Sequence, residues 1–245
     1  MSEMGTLQRK DTVWQREDTV ASYGLSRQGI PFVDVQFDLI ARLLHAYGST
    51  PTSILDLGCG DGIAAQAMID RFPVQRAVLV DFSPPMLSLA EKRFHACSTD
   101  VLTIDGDLLA SDWLPTVTTS APYDLVISRY AIHHLPHPRK FSLYAEVFEL
   151  LRPGGWFINL EHVQSVNDRY QKAFEDLLID GIHRVAIDQR TRDDVERAFH
   201  QRQDAETNIL APAEMQCGWL REIGFVDVDC LFKALELAVI AGRRP

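Results

Sequence analysis

The chain has 245 residues and carries 24 Lys and Arg against 34 Asp and Glu, which gives a formal net charge of −10 at pH 7. This length suits one domain with a modest insertion, and a chain that is 46% hydrophobic and 24% charged is neither disordered nor fibrous. The acidic balance disfavours nucleic acid as a partner, because binding to a polyanion depends on basic surface. No apolar run of about 18 residues is present and the first residues lack a secretory signal, so we expect no membrane partner and a cytoplasmic location.

The 4 cysteines stand at Cys59, Cys97, Cys217 and Cys230 without CxxC spacing, which argues against a disulfide framework or a structural zinc site. Histidines lie close together in the segment HHLPH, residues 133–137, yet neighbours on one loop rarely converge on a metal ion. We therefore expect reduced thiols and no metal site.

A regular alternation of strands and helices follows an opening helix. Apolar residues at helical spacing between Pro31 and Leu44 predict that first helix. The predicted strands then span residues 53–57, 77–81, 101–105, 123–128 and 156–161, and predicted helices span 62–71, 85–95 and 139–151. Short apolar strands joined by helical crossovers predict a doubly wound α/β fold, in which a mostly parallel sheet is covered by helices on both faces.

The last third of the chain departs from this rhythm. Residues 164–210 are polar and charged, with helical spacing and no strand candidate, and they predict a helical insertion. A helix over 213–223 ends at Gly224, and two strands follow over 225–232 and 234–242. Too few residues separate these strands for a helical crossover, so we expect an antiparallel hairpin that completes a seven-stranded sheet at its edge.

The segment DLGCGDG, Asp56–Gly62, lies where a predicted buried strand meets a helix, which is where open α/β sheets bind ligands. Alternating glycines permit a sharp turn and let a ligand approach the backbone. Gly62 comes one position too early for a dinucleotide fingerprint, and no Lys-Ser or Lys-Thr pair follows to form a phosphate loop. An acid ahead of the first glycine favours a ligand with positive charge over one with phosphate. A tight turn without a ligand is the alternative.

The sequence resembles the class I S-adenosylmethionine-dependent methyltransferases of the small-molecule type, over about Ser53–Glu161 and the terminal strand pair. The first motif of that family, D/E-x-G-x-G-x-G, is matched by Asp56, Gly58, Cys59, Gly60 and Gly62. The resemblance implies a Rossmann-like methyltransferase fold, with S-adenosylmethionine as cofactor and a loop backbone that wraps its methionine and ribose portions. It also implies methyl transfer to an O, N or C atom of a small molecule.

The resemblance implies further cofactor contacts at the ends of the next strands. Asp81 matches the acid that accepts both ribose hydroxyls, with an acid at a helix start as the alternative. Asp107 and the backbone amide of Leu108 match the pair that binds the adenine ring. Phe82 and Met86 are expected beside the adenine, or else in the core.

The segment SRYAIHHL after the fourth strand resembles the part of the family that passes beneath the methionine, so Ser128 and Arg129 are assigned to the cofactor site. Arg129 either anchors a carboxylate or points to solvent. No N/D-P-P-Y/F motif follows this strand, which argues against a base-flipping methyltransferase for DNA or RNA.

Methyl transfer from a sulfonium ion is an in-line displacement, so alignment supplies much of the rate and some enzymes need no base. Where the acceptor must lose a proton, the candidate catalytic residues at strand ends facing the crevice are His134, Glu161 and Tyr130. A structural role is the alternative for His134. His162, after the fifth strand, is a candidate substrate contact.

Two segments are predicted to cover the site of this single domain, residues 1–245. The N-terminal segment, residues 1–50, is expected to form a helical entry or lid that brings Tyr23 to the substrate. The insertion, residues 164–210, follows the fifth strand at the ligand edge of the sheet and is predicted to form a substrate cap that includes Tyr170. Ordinary packing and solvent exposure are the alternatives for these side chains.

Three rival functions stay open at this point. A nicotinamide-dependent dehydrogenase is disfavoured by the glycine spacing. A module that binds S-adenosylmethionine without turnover is the second rival. An RNA or protein methyltransferase is the third, and the acidic charge and the predicted cap disfavour it.

Overall fold

The computed structural model describes residues 11–186, 188, 190–202 and 204–245. The first ten residues of the predicted N-terminal segment therefore lie outside the described residues. The remaining part of that segment, the central sheet and the insertion apart from residues 187, 189 and 203 are described.

Seven strands form one sheet in the described residues, namely β1 Ser53–Leu57, β2 Arg76–Asp81, β3 Asp100–Asp105, β4 Tyr123–Arg129, β5 Leu151–His162, β6 Val226–Ala234 and β7 Leu237–Arg243. Their order across the sheet is β3-β2-β1-β4-β5-β7-β6. The first five strands are parallel, while β7 pairs antiparallel with both β5 and β6. The predicted fold, a mostly parallel sheet with an antiparallel C-terminal pair, is confirmed.

The α-helices of the described residues are α1 Glu17–Ser26, α2 Val33–Ala46, α3 Ile63–Ile69, α4 Pro84–Phe94, α5 Leu114–Thr118, α6 His137–Leu150, α7 Asp168–Val185, α8 Arg192–His200 and α9 Ala213–Ile223. No helix among them is long and apolar enough to cross a bilayer. The sequence does not predict α1 or α5, because α1 has a weak apolar stripe and α5 has only 5 residues. Strand β5 begins at Leu151 rather than at Trp156, since Leu151 already pairs with Tyr123.

The central strands are buried on both faces, as strands of a covered parallel sheet must be. All of β1 after Ser53 and all of β2 after Arg76 is buried, whereas the edge strand β3 has exposed positions along its length. Side chains from the two faces enter two separate apolar clusters, with Leu55 in one and Ile54 in the other. This packing holds the strand ends in fixed register.

The direction of the chain across the sheet reverses at the neighbouring strands β1 and β4. From β1 the chain moves outward to β2 and β3, and from β4 it moves the other way to β5. Such a reversal opens a crevice outside the carboxyl ends of the two strands, where ligands bind in open α/β sheets. The loop that joins β1 to α3 therefore begins at the edge of this crevice.

The predicted insertion, here called the cap segment (residues 164–210), contains α7, α8 and a 3-10 turn over Asp204–Thr207, with no strand among its described residues. Its small apolar cluster consists of Ile179, Val195 and Phe199. The cap segment thus has a small core of its own, apart from the two clusters of the sheet.

The cap segment contacts the N-terminal segment through the backbone of two glycines. Helix α7 packs against the 3-10 turn Arg27–Gly29. A Cβ on Gly181 would lie 2.0 Å from the carbonyl oxygen of Gly29, and a Cβ on Gly29 would lie 2.5 Å from the backbone nitrogen of Ile182. Only glycine fits on either side of this contact, so the two segments are joined at one closely packed point.

Candidate active site

The loop between β1 and α3 contains three glycines in the left-handed region of backbone conformation. Gly58, Gly60 and Gly62 have positive φ angles of 63°, 54° and 79°. A Cβ on Gly58 would lie 2.2 Å from Cβ of Ala131, and a Cβ on Gly62 would lie 2.6 Å from a ring carbon of Phe94. Conformation and space both require glycine at these two positions, and the loop backbone from Gly58 to Gly60 lines the crevice.

Asp56 lies beneath this loop. It is fully buried, its Oδ2 accepts a hydrogen bond of 3.0 Å from the backbone N–H of Ala65, and no described residue donates to its Oδ1. Burial raises the pKa of Asp56 to about 7. The side chain is absent from the cavity wall, so Asp56 fixes the start of α3 and acts on a ligand through its charge rather than by direct contact.

Asp81 ends β2 on the wall of the crevice. Its Oδ2 accepts a hydrogen bond of 2.8 Å from the N–H of Gly60, and its Oδ1 accepts one of 2.9 Å from the N–H of Ser83. A carboxylate oxygen accepts more than one hydrogen bond, so both oxygens keep capacity for a ligand. Burial raises the pKa of Asp81 to about 6, which leaves the group mostly ionised at neutral pH.

A cavity of about 200 Å³ lies over the carboxyl ends of β1, β2 and β4. The residues predicted from the sequence that line its wall are Tyr23, Gly58, Cys59, Gly60, Asp81, Phe82, Met86, Asp107, Leu108, Arg129, Tyr130, His134 and His162. The N-terminal segment contributes Trp14 as well as Tyr23, and the cap segment contributes Phe174 and Leu178. One space therefore brings together the strand ends and both covering segments.

The N-terminal segment is tied to the strand ends by polar contacts. The hydroxyl of Ser83 donates to the carbonyl of Trp14 at 2.6 Å, and Nε2 of Gln15 donates to the carbonyl of Phe82 at 3.1 Å. Asp61, which lines the cavity, forms ion pairs with Arg27 and with Arg93. Against the effect of burial, these two guanidinium groups lower the pKa of Asp61, so it stays ionised and holds the segment.

Two imidazoles on the wall are each paired with a buried carboxylate. Nδ1 of His133 lies 2.7 Å from Oε1 of Glu161, and Nε2 of His162 lies 2.5 Å from Oε2 of Glu236. Glu161 is fully buried and also accepts from the N–H of His162 at 2.9 Å. Burial lowers the pKa of His133 well below its ordinary value, so this imidazole is neutral at physiological pH.

Arg129 and Tyr130 form the part of the wall after β4. Arg129 is 8% exposed, its guanidinium lies 4.7 Å from the centre of the Tyr130 ring, and no described residue accepts a hydrogen bond from its Nε. Of the two sequence alternatives, a site for a carboxylate agrees with this burial better than exposure to solvent does. Burial raises the pKa of Tyr130, whose hydroxyl donates to Oε1 of Gln36 at 3.3 Å, so it stays protonated.

Comparisons with known proteins find methyltransferases. A family model for methyltransferase domains matches residues 54–155. Trans-aconitate 2-methyltransferase from Acidovorax sp. (strain JS42) is 34% identical over 118 residues, which are 48% of this chain and 40% of that protein. An O-methyltransferase family protein from Burkholderia thailandensis superposes with a TM-score of 0.67 over 96% of this chain and 63% of that chain, at 17% identity. Residues 54–155 thus match a methyltransferase domain, and the proteins that the chain resembles are class I S-adenosylmethionine-dependent methyltransferases.

Human N-acetylserotonin methyltransferase, solved in complex with S-adenosylmethionine, superposes on this structure with a TM-score of 0.62 over 98% of this chain and 60% of that chain, at 18% identity. At this identity the likeness concerns the fold. The sequence match takes in less than half of the trans-aconitate enzyme. The acceptors named for these proteins are therefore properties of those proteins.

Four residues predicted for the site lie off the cavity wall, and Asp56 is the first of them. Ser128 is fully buried and donates to the carbonyl of Leu57 at 2.7 Å, which joins β4 to β1. Glu161 lies behind His133 and does not line the cavity. Tyr170 is 49% exposed on α7 and does not meet the substrate residues predicted with it.

His134 connects the wall to the segments that cover it. Its Nδ1 lies 2.8 Å from the hydroxyl of Thr207 in the cap segment, and its ring centre lies 6.0 Å from that of Trp14. Burial lowers the pKa of His134 well below its ordinary value, so it is neutral. These contacts favour the structural alternative for His134, although the residue does line the cavity.

Sequence reasoning assigned no role to two residues of the site. Asp61 was visible as an acid inside the glycine motif. Glu236 gave no signal, because it lies in the turn between β6 and β7, 74 residues from His162 along the chain. Within the part of the chain that the structure describes, no three His, Cys, Asp or Glu side chains converge on a metal site.

Proposed function

We propose that this methyltransferase transfers the methyl group of S-adenosylmethionine to a small-molecule acceptor. The observation that carries the proposal is the carboxylate of Asp81, which lies on the cavity wall at the end of β2 and binds the bare glycine loop. Two acceptor oxygens side by side suit the vicinal diol of a ribose. When bound, the cofactor supplies an electrophilic methyl group on a sulfonium centre.

The other wall residues suit the remaining parts of the same cofactor. Asp107 and the backbone of Leu108 follow β3 and suit the adenine, and Phe82 and Met86 offer apolar contact to a ring. The guanidinium of Arg129, with its unpartnered buried Nε among the described residues, suits the carboxylate of the methionine portion. The charge of Asp56 beneath the loop favours a cation above it.

A small acceptor is supported by the segments that enclose the cavity. Trp14 and Tyr23 line it from the N-terminal segment, and Phe174 and Leu178 line it from the cap segment. Holding acceptor and methyl group in line within an enclosed space accounts for much of the rate of a displacement. The net charge of −10 also favours a small molecule over a polyanion.

An acceptor that must lose a proton has two imidazoles on the cavity wall, those of His133 and His162, and each ring is oriented by a buried carboxylate. Tyr130 has a raised pKa and stays protonated, so it donates a hydrogen bond more readily than it removes a proton.

Calorimetric titration and label transfer test the proposal together. We expect S-adenosylhomocysteine to bind and NAD not to bind, and we expect methyl-labelled S-adenosylmethionine to label components of a small-molecule cell extract. Binding of NAD alone would overturn the proposal in favour of a dehydrogenase. Cofactor binding with no labelled product would favour a binding module, and label found only in RNA or protein would favour a macromolecular acceptor.

A further inference from the structure

A second cavity of about 470 Å³ adjoins the first. The two share His162, Phe174, Arg202 and Asn208 on their walls. Most of the other residues around the second cavity are polar, including Gln164, Ser165, Asn167, Gln171, Glu175 and Glu236. A polar space that shares part of its wall with the first cavity suits a molecule with several hydrogen-bonding groups.

His162 stands at the junction and is held by Glu236. The carboxylate of Glu236 is 3% exposed, accepts from Nε2 of His162 at 2.5 Å and accepts from the hydroxyl of Ser165. A carboxylate that accepts from Nε2 selects the tautomer with hydrogen on Nε2 and a lone pair on Nδ1. No hydrogen bond joins Nδ1 to any residue that the structure describes.

The neighbouring imidazoles are less available than His162. The His133 side chain is 8% exposed, and its Nδ1 is bound to Glu161. Nδ1 of His134 is bound to Thr207. The His162 side chain is 19% exposed, and of the described histidines only His162 lines both cavities.

We propose that the second cavity holds the body of the methyl acceptor and that His162, positioned by Glu236, removes the proton of the acceptor's hydroxyl group. This inference rests on the proposed function. A base is useful for a hydroxyl acceptor, whereas a carboxylate acceptor is already ionised and needs none. Three carboxylates, those of Asp168, Glu175 and Glu236, line the second cavity against the one guanidinium of Arg202, which disfavours an acceptor with several negative charges.

The acceptor class that follows is an uncharged phenol or enol with further hydrogen-bonding groups. Its oxygen forms the new bond to the methyl carbon while its proton moves to Nδ1 of His162. The electron pair of the sulfur–methyl bond stays on sulfur, so the cofactor leaves as the neutral thioether. The imidazolium returns its proton to water after the product leaves, and the net products are methyl ether, S-adenosylhomocysteine and one proton.

The products labelled from the cell extract test the acceptor class. We expect labelled methyl ethers, which are stable to alkali, rather than methyl esters, which release labelled methanol, or methylamines. Labelled esters or amines as the main products would overturn this inference and leave the proposed function standing. The absence of any labelled small molecule would instead count against the proposed function itself.

Three variants test the role of His162. His162→Ala is expected to lower methyl ether formation from the extract by about 10²- to 10³-fold, the scale of general base catalysis. Glu236→Gln is expected to lower methyl ether formation as well, because an amide can face Nε2 with its oxygen or with its NH₂ group and no longer selects one tautomer. His183→Ala, which removes an exposed histidine of α7, is the matched control and should keep the parental rate. Affinity for S-adenosylhomocysteine should change less than about twofold in all three, since none of these residues touches the cofactor portions assigned above.

Nitrogen-15 NMR of the histidines gives a readout that does not depend on turnover. With protein saturated with S-adenosylhomocysteine, the signal lost in His162→Gln should belong to an imidazole protonated on Nε2, and Glu236→Gln should perturb that signal. A His162 protonated on Nδ1 would overturn the proposal, as would an unchanged rate of methyl ether formation in a folded Glu236→Gln protein.

Discussion

The two sides of the cavity are built in different ways. The cofactor side comes from the ends of adjacent parallel strands, where buried residues of β1, β2 and β4 fix the positions of the loops. The acceptor side comes from segments far apart in the chain. Trp14 belongs to the N-terminal segment, whereas His162 ends β5 and lies beside Glu236 because β7 pairs antiparallel with β5, with Leu237 opposite His162. The ends of the parallel strands therefore set the geometry of the proposed cofactor site, while the acceptor side depends on the register of the C-terminal strand pair and on the covering segments.

The largest effect is expected on the cofactor side, at Gly58. Gly58 and Gly48 have φ angles of 63° and 62°, but a Cβ would clash with Ala131 at Gly58 and would meet nothing within 4 Å at Gly48. Gly58→Ala should therefore lower the free energy of unfolding by about 2 to 5 kcal/mol, the sum of backbone strain and overpacking. Gly48→Ala should cost about 1 to 2 kcal/mol, from strain alone. Equal losses in chemical denaturation would show that the loop is not packed against Ala131.

The second prediction concerns the contact between the cap segment and the N-terminal segment. Gly181→Ala places a Cβ against the carbonyl of Gly29 and should cost about 1 to 3 kcal/mol of unfolding free energy. Gly218→Ala in α9, where a Cβ meets nothing within 4 Å, should instead stabilise by about 0.5 to 1 kcal/mol. Affinity for S-adenosylhomocysteine should stay within about twofold in folded Gly181→Ala protein. A large loss of that affinity would mean that the two sides are coupled.

The same division explains what could be predicted from the sequence. The seven strands, their mostly parallel pairing and the terminal hairpin follow from short apolar runs and their spacing, and the acids at the strand ends followed from a motif in a known context. Asp81 and Asp107, which were predicted in this way, do lie on the cavity wall. The boundaries of β5 and the short helix α5 were missed because neither carries a clear periodicity.

The acceptor side was harder to predict because its partners are distant in sequence. The pairing of Glu236 with His162 depends on the antiparallel register of β7 on β5, and the contact of Gly29 with Gly181 depends on how the covering segments pack. Tyr170 was predicted as a substrate contact from its place in the insertion, but its position on α7 leaves it 49% exposed. Tyr170 lies in the first turn of α7, four residues before the wall residue Phe174, so its spacing agrees with the wall and its exposure follows from its place at the start of the helix.

A third prediction concerns cofactor affinity without loss of fold. Asp81→Ala removes a carboxylate on the wall and should weaken binding of S-adenosylhomocysteine by about 1 to 3 kcal/mol, the scale for charged hydrogen bonds. Asp112→Ala removes an exposed carboxylate outside the cavity and is the matched control. Calorimetric titration of both variants measures the difference. Unchanged affinity in a folded Asp81→Ala protein would show that the ribose assignment is wrong.

The smallest effect is a pH dependence confined to the cofactor side. Burial raises the pKa of Asp81 to about 6, above its unfolded value of 3.8, so its contribution to stability is present below pH 3.8 and is lost as the pH rises through 6. Ligand binding through the ionised carboxylate has the opposite sign. Affinity for S-adenosylhomocysteine should fall by about tenfold from pH 7.5 to pH 5, because one pH unit below the pKa leaves about a tenth of the carboxylate ionised.

Proton release on binding distinguishes protonation of Asp81 from partial acid unfolding as the cause of the lower affinity. Binding near pH 6 should release up to about half a proton from Asp81, because about half of this carboxyl is protonated at its pKa. The release is measured as a dependence of the calorimetric heat on the ionisation enthalpy of the buffer. Asp81→Asn should lose most of this proton release. The smaller release that remains comes from Asp56, whose pKa is raised to about 7 and which lies beneath the loop without contacting the ligand. His162→Ala should release as many protons as the parent, since His162 belongs to the acceptor side. A release that follows His162 instead of Asp81 would mean that the two sides titrate as one site.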